Sequence, residues 1–177
     1  MAGGKKKIYS FMPTLKLREA VSYFSELINN DFNDNEFIEI AKDQGLRFFV
    51  DVLIMKIDGV TFYEASTDKL VSPAVGLHEV IRGLNTKVTN TYNDDQGVSH
   101  LMGFTHLSFP IGEYPLVFSG KNDEGKTIEW KISDEEFDVW PLSFKPSDIQ
   151  ALANKINGKP SAEELSKELA ELRERIH

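Results

Sequence analysis

The stretch Leu46–Glu64, LRFFVDVLIMKIDGVTFYE, is the most apolar run in the chain and constrains its fold more than any other segment. Four positions recur at the spacing of an outer helical stripe: Arg47, Asp51, Met55 and Asp58. Against a helix, the side chains alternate, and the β-branched and aromatic content favours a strand. Asp58-Gly59 is a strong hairpin signal, because a type I′ turn needs positive φ at both central residues. The sequence therefore predicts a central β-hairpin, with a helix over residues 46–57 as the alternative.

Asp51 would then be a carboxylate in a mostly apolar strand. One interpretation is a functional acid, since such groups are tuned by apolar surroundings. The other is an ordinary partner for a neighbouring Lys or Arg side chain, and this is the interpretation that the sequence favours.

The charge balance limits the partners that we expect. The chain has 28 acidic and 20 basic residues, and its formal net charge is −8. Nucleic-acid binding relies on an excess of Lys and Arg, which displaces counterions from phosphate. Because the net charge is negative, we do not expect this protein to bind nucleic acid.

Length and composition point to one ordinary soluble domain. The chain has 177 residues, enough to bury a substantial core. No run approaches the roughly 18 uninterrupted apolar residues of a membrane helix. The N-terminal sequence MAGGKKKIYSFMP lacks the apolar core of a secretory signal, and a chain without cysteine suits a reducing compartment. We therefore expect a cytoplasmic protein with no membrane association.

Two helices are predicted near the N-terminus. Thr14 is placed to cap a helix over Leu15–Asn29, whose apolar residues fall on one face. Asp34 is placed to cap a shorter helix over Glu36–Asp43. Gly45 would end that helix in the left-handed conformation.

A third helix is predicted over Pro73–Leu84, because proline is favoured at a first helical position. Residues 86–92 and 98–104 then have the composition of strands, and residues 93–97 between them form a turn signal.

The clearest hairpin signal pairs Leu116–Ser119 with Thr127–Ile132 across the loop Gly120–Lys126. In its second strand, apolar and polar residues alternate, which predicts one buried and one exposed face.

Two more helices are predicted near the C-terminus. Ser147 would open a helix that ends near Ile156, and Ser161 would open the last helix, Ala162–Ile176. The last helix has a narrow apolar stripe, which suits docking on the domain or on a partner helix. The stripe consists of Leu165, Leu169, Leu172 and Ile176.

These elements predict an α+β fold. It contains a mainly antiparallel sheet of hairpin-like strand pairs, two N-terminal helices, one inserted helix and a C-terminal helical pair, because hairpins rather than βαβ units recur. We expect a single domain over residues 1–177. Residues 1–13 would form a mobile arm, and residues 161–176 a helix able to dock on a partner.

The histidines give a second candidate for chemistry, besides Asp51. His100 and His106 are six residues apart, a separation that places both on one face of a continuous strand. His106-Leu107-Ser108 has the His-x-Ser form of two-histidine phosphoesterases, but the chain lacks the second such motif. His100, His106 and Ser108 are thus weak catalytic candidates, and the alternative is a pair of histidines hydrogen-bonded within a sheet.

Two other segments resemble familiar motifs, but one has the wrong residues at key positions and the other lies in the wrong structural context. Asp31–Glu36 begins like a calcium loop, but its sixth position is Glu36 rather than Gly and its twelfth is Lys42 rather than Glu. Gly125-Lys126-Thr127 resembles the end of a phosphate loop but precedes a predicted strand, so no helix N-terminus faces the phosphate. We predict neither a metal site nor a cofactor.

Three functions follow as hypotheses. The first is a non-catalytic interaction or assembly module, such as a structural subunit, adaptor or inhibitor, that binds another protein or itself. We expect it to form a homo-oligomer or to be part of a larger complex. Its predicted contact residues are Tyr114, Trp140, Leu165, Leu169, Leu172 and Ile176. The second is a protein that binds or hydrolyses a nucleotide-like molecule with the strand histidines. The third is an acidic mimic of nucleic acid, with carboxylates at residues 134–138 and 163–164.

Overall fold

The computed structural model describes residues 8–84, 88–108, 116–133, 139–158, 167 and 170–174, and only the backbone of residues 90, 92, 102–104, 107, 108 and 139. The fold is α+β, as predicted. Its helices are α1 (Leu17–Ile28), α2 (Asp34–Asp43), α3 (Val52–Ile57) and α4 (Pro146–Ile156), with further helical residues at 8–11, 167 and 170–174. Its strands are β1 (Phe49–Asp51), β2 (Phe62–Glu64), β3 (Leu77–Arg82), β4 (Val88–Asn93), β5 (Ser99–Ser108), β6 (Val117–Lys121), β7 (Thr127–Ile132) and β8 (Val139–Pro141).

The chain divides into two compact units. The helical unit comprises Met1–Leu46 with Lys145–His177, and the sheet unit comprises Arg47–Phe144. The expectation of a single domain stays a prediction. In the part of the chain described, no helix is both long and apolar enough to span a bilayer.

The helical unit packs α1 against α2 and α4. Phe24 of α1 is fully buried and meets the ring of Phe37 of α2 edge-on, with 5.5 Å between the ring centroids. Near the C-terminal end of α1, the side-chain amide of Asn157 donates to the carbonyl of Leu27 at 3.1 Å. The apolar face predicted for the first helix is therefore the face that α1 buries.

The helix ends differ from the predicted caps by one to two residues. The N-cap of α1 is Lys16 rather than Thr14. The N-cap of α2 is Asn33 rather than Asp34, because Asn33 and Glu36 form a reciprocal capping box: the Asn33 Oδ1 accepts from the Glu36 N–H at 2.8 Å, and Glu36 Oε1 accepts from the Asn33 N–H at 3.1 Å. The N-cap of α4 is Lys145 rather than Ser147, and Pro146 occupies its first turn. Gly45 has the predicted left-handed φ, +73°.

The sheet unit contains two antiparallel sheets among the described residues. The larger has the strand order β1-β3-β6-β7-β2, and the smaller has the order β4-β5-β8. The predicted hairpins β4–β5 and β6–β7 are both present. β6 runs two residues beyond its predicted end, so Gly120 and Lys121 belong to the strand rather than to the loop.

The central hairpin prediction is wrong, because the stretch divides into a strand, a helix and a strand. β1 pairs with β3, α3 follows, and β2 pairs with β7 at the far edge of the sheet. Asp58 has φ −73° and ends α3, while Gly59 has φ +76°. The N–H of Gly59 donates to Lys56 O at 3.1 Å, and the N–H of Val60 donates to Met55 O at 3.2 Å. This is the Schellman arrangement, so Asp-Gly closes a helix here instead of a hairpin.

Asp51 has a local structural role. It is the N-cap of α3, and its Oδ1 accepts the N–H of Leu53 at 3.0 Å. The carboxylate thus satisfies a backbone donor that the first helical turn leaves open.

The helix predicted over Pro73–Leu84 is also wrong. Leu77–Arg82 is β3, and the side chains of His78 and Val80 are buried while their neighbours are partly exposed. Gly76, with φ +128°, lies outside the helical region of backbone space. The inserted helix of the fold is α3, not this segment.

Candidate functional site

His100 stabilises the turn between β4 and β5. Its Nε2 lies 2.8 Å from Asp94 Oδ2, and the other oxygen of Asp94 accepts the N–H groups of Gln96 at 3.0 Å and Val98 at 2.9 Å. The His100 imidazole and these two backbone donors hold the pKa of Asp94 below its ordinary value. These hydrogen bonds give His100 a structural role in the turn, which requires no substrate.

His106 lies in a different environment, since its side chain is buried. The Thr89 hydroxyl donates to the carbonyl of Thr91 at 3.1 Å, so its 2.8 Å contact with His106 requires the imidazole Nε2 to be the donor. This arrangement agrees with a histidine hydrogen-bonded within a sheet, the alternative that the sequence left open.

A break in strand register separates the two histidines. Thr89 faces His106, but Thr91 faces Leu101, so β5 contains three more residues than β4 in this interval. The prediction that His100 and His106 lie on one face assumed a continuous strand. Because the register is broken between them, their spacing no longer supports that prediction. Ser108 pairs with Val139 of β8, and its side chain lies outside the described part of the structure.

Trp140 is the one predicted contact residue whose ring is described in the sheet unit. It is buried, and its indole N–H donates to Asp58 Oδ2 at 3.1 Å. The ring therefore serves an internal contact in this structure and offers little surface to a partner.

The other predicted contact residues are mostly outside the described residues. Leu172 is half exposed in the helical stretch 170–174. The remaining ones are Tyr114, Leu165, Leu169 and Ile176. The carboxylates at 134–138 and 163–164 also lie outside the described residues.

An apolar surface that the sequence did not single out lies on α3. Leu53 and Ile57 are one helical turn apart and are 45% and 75% exposed, whereas Val52 and Met55 on the same helix are fully buried. Val75, 60% exposed, precedes Gly76, whose carbonyl accepts the N–H of Val52 at 3.0 Å. We call Leu53 and Ile57 the α3 surface. The i, i+4 spacing of Leu53 and Ile57 was visible in the sequence, but the strand interpretation placed them on a sheet.

A second feature is a polar cleft beside β2 and β7. It has a volume of about 280 Å³ and is lined by Tyr63, Asp68, Lys131, Ile132 and Ser133. Tyr63 and Lys131 are directly opposite each other in the β2–β7 register. The ammonium of Lys131 pairs with the carboxylate of Asp68. We call this feature the Lys131–Asp68 cleft.

Within the described ranges, no group of three or more His, Asp or Glu side chains is arranged to hold a metal ion. Comparison with known protein families, curated proteins and solved structures gives no match to this chain.

Proposed function

We propose that the protein is a non-catalytic interaction module that binds another protein, or a second copy of itself, through the α3 surface. The observation that supports this proposal is the exposure of Leu53 and Ile57 on one face of a short, firmly held helix. Transfer of such apolar surface from water to an interface contributes roughly 25 cal/mol per Å².

The helix that presents these side chains is fixed at both ends. The Asp51 carboxylate caps its start, and the Gly59 and Val60 N–H groups close its end. On its opposite side, Val52 and Met55 are buried in the sheet unit. A partner would therefore meet a preorganised surface, which lowers the entropy cost of binding.

Charged residues lie beside this apolar surface. The ammonium of Lys56, also on α3, is 3.7 Å from the carboxylate of Asp123, which in turn accepts the hydroxyl of Ser72. An apolar centre with a polar rim is the common arrangement of protein interfaces.

The test is a double substitution, Leu53→Gln with Ile57→Gln, which removes apolar surface and keeps good helix formers. Native mass spectrometry and sedimentation velocity of the full chain, alone and after capture from its source extract, would measure complex formation. We expect wild type to form a complex and the double variant to lose it at unchanged thermal stability. Leu101→Gln is the matched control, because Leu101 is 78% exposed on β5, in the other sheet. A complex that survives the double substitution, or a wild-type chain that forms none, contradicts the proposal.

Oligomer formation and a cytoplasmic location belong to the same proposal. Binding of a second copy through the α3 surface would give a homo-oligomer, and the lack of cysteine suits a reducing compartment. The histidine-based activity and the nucleic-acid mimic stay predictions, and no described contact favours either of them over the interaction module.

A further inference from the structure

The Lys131–Asp68 cleft lies on the face of the β2–β7 pair opposite the core. Tyr63 and Lys131 point to that face, while Phe62 and Ile132, the neighbouring pair in the register, are buried on the other. Lys131 is 23% exposed and is fixed on the strand that lies between β6 and β2. The cleft therefore has one rigid cationic wall.

The anionic wall comes from the loop between β2 and Leu70, and Glu64 holds this loop in place. One oxygen of the Glu64 carboxylate accepts from the Ser66 hydroxyl at 3.3 Å, and the other accepts from the Thr67 hydroxyl at 3.0 Å. Backbone bonds join Glu64 N to Lys69 O at 2.7 Å and Asp68 N to Glu64 O at 3.0 Å. This network fixes the loop independently of the Lys131 side chain.

Asp68 has a backbone conformation that is uncommon for residues other than glycine. Its φ is +57°, in the left-handed region. Asp adopts this conformation more readily than most other residues, and here it belongs to the turn that the Glu64–Lys69 and Asp68–Glu64 backbone bonds close. The loop thus holds the Asp68 carboxylate, 75% exposed, at the mouth of the cleft and next to the Lys131 ammonium.

The pairing of charges defines the kind of molecule that fits. A simple anion bound to Lys131 would face the Asp68 carboxylate, and a simple cation bound to Asp68 would face the Lys131 ammonium; both arrangements are repulsive. A zwitterion avoids both contacts, because its carboxylate meets Lys131 while its ammonium meets Asp68. Opening the existing ion pair costs little, since an exposed pair contributes about 0–1 kcal/mol.

We propose that the Lys131–Asp68 cleft binds a small zwitterion of the free amino-acid type. The volume of about 280 Å³ lies just below the range of roughly 300–1,000 Å³ for ligand pockets, which suits so small a molecule. The ring of Tyr63 supplies apolar contact for its carbon atoms, and Tyr63 and Ser133 supply hydroxyl groups. This site is separate from the α3 surface, because the two share no residue.

An amide NMR titration of the labelled full chain tests the proposal. The probes are glycine and L-alanine as zwitterions, acetate as a carboxylate alone, and methylammonium as a cation alone. We expect saturable shifts at Tyr63, Asp68 and Ser133 with the zwitterions, and binding weaker by roughly tenfold or more with each single-charge probe, because a charge-assisted contact is lost.

Two variants and one control complete the experiment. Lys131→Met keeps the aliphatic stem of lysine, and Asp68→Asn keeps a residue that tolerates positive φ; each should weaken zwitterion binding by roughly tenfold or more. Arg82→Met is the matched control, since it breaks the nearby Arg82–Glu129 ion pair outside the cleft lining and should leave binding unchanged. Equal binding of acetate and glycine, absence of saturable shifts, or insensitivity to both cleft variants would overturn the proposal.

Discussion

The indole N–H of Trp130 on β7 donates a hydrogen bond to Nδ1 of His78 on β3, 3.0 Å away. Since Nδ1 accepts, the ring proton is on Nε2, which donates to the carbonyl of Ala74 at 2.8 Å. His78 is buried, and both of its ring nitrogens are used. The sheet unit therefore holds a neutral imidazole in one defined tautomer.

This arrangement predicts that the protein loses stability in mild acid. Burial lowers the pKa of His78 from its ordinary value of 6.5; the Ala74 bond opposes this effect, the Lys56 charge adds to it, and the Asp51 charge opposes it. The unfolded chain thus takes up a proton at a higher pH than the folded chain does. The contribution of His78 to the free energy of unfolding should be complete above pH 6.5. It should fall as the pH drops from 6.5 toward the pKa of His78 in the folded protein. Urea denaturation across this range measures the effect.

His78→Gln is the informative variant, because glutamine has a donor and an acceptor but does not titrate in this range. We expect its free energy of unfolding to vary less with pH than that of wild type. His100→Gln is the control, since His100 is exposed and pairs with Asp94 at the turn; it should retain the acid-dependent loss. If the free energy of unfolding of His78→Gln varies with pH as it does in wild type, the loss of stability in acid does not come from His78.

Gly120 makes room for the His78–Trp130 bond. It lies on β6, the strand between β3 and β7, and a Cβ at this position would be 2.0 Å from His78 Nδ1. Gly120→Ala should therefore displace the ring and destabilise the protein by about 1–3 kcal/mol, the usual cost of overpacking.

A double-mutant cycle separates this contact from other effects of Gly120→Ala. In a His78→Ala background the ring is absent, so the added methyl group should cost much less free energy of unfolding. Equal costs of Gly120→Ala in both backgrounds, measured by urea denaturation, would show that His78 is not what the methyl group meets.

Much of the fold was predictable where one short segment determines the structure. The β6–β7 hairpin follows from a glycine-containing loop and from alternating residues in the second strand, and α1 follows from an apolar stripe. Each of these patterns lies within a segment of fewer than about 20 residues. Local periodicity is the most dependable evidence for secondary structure in a single sequence.

The errors arose where distant partners decide between two local preferences. β3 is a strand because it pairs with β1 on one side and β6 on the other, and none of these pairings is encoded within residues 73–84. Propensity is a weak guide when tertiary contacts compete with it. The expectation that His100 and His106 share one face lost its basis for a related reason, since the register break between β4 and β5 is invisible in the spacing of the two residues. The histidine-based activity itself stays a prediction. Lys131 and Asp68 are 63 positions apart in the sequence, so no local pattern predicted the cleft between them.

Gly59 offers a test of the helix that replaced the predicted hairpin. It is left-handed at φ +76°, and a Cβ there would meet nothing within 4 Å, so any cost of substitution is conformational. Gly59→Ala should lower the free energy of unfolding by about 1–2 kcal/mol, and Gly59→Asn by less, because asparagine tolerates this conformation better. Equal thermal and urea stability of all three proteins would contradict the Schellman arrangement at the end of α3.

The bond between Asp58 and Trp140 is predicted to anchor the end of α3 to β8. Trp140 is buried, and its N–H donates to Asp58 Oδ2 at 3.1 Å. Asp58→Ala removes this acceptor from a buried donor and should destabilise the protein by about 1–3 kcal/mol, whereas Asp58→Asn retains an amide oxygen and should cost less. Trp140→Phe removes the donor, so Asp58→Ala should cost little in that background. Urea denaturation of the four combinations gives the coupling energy, and a coupling near zero would mean that the bond does not contribute to stability.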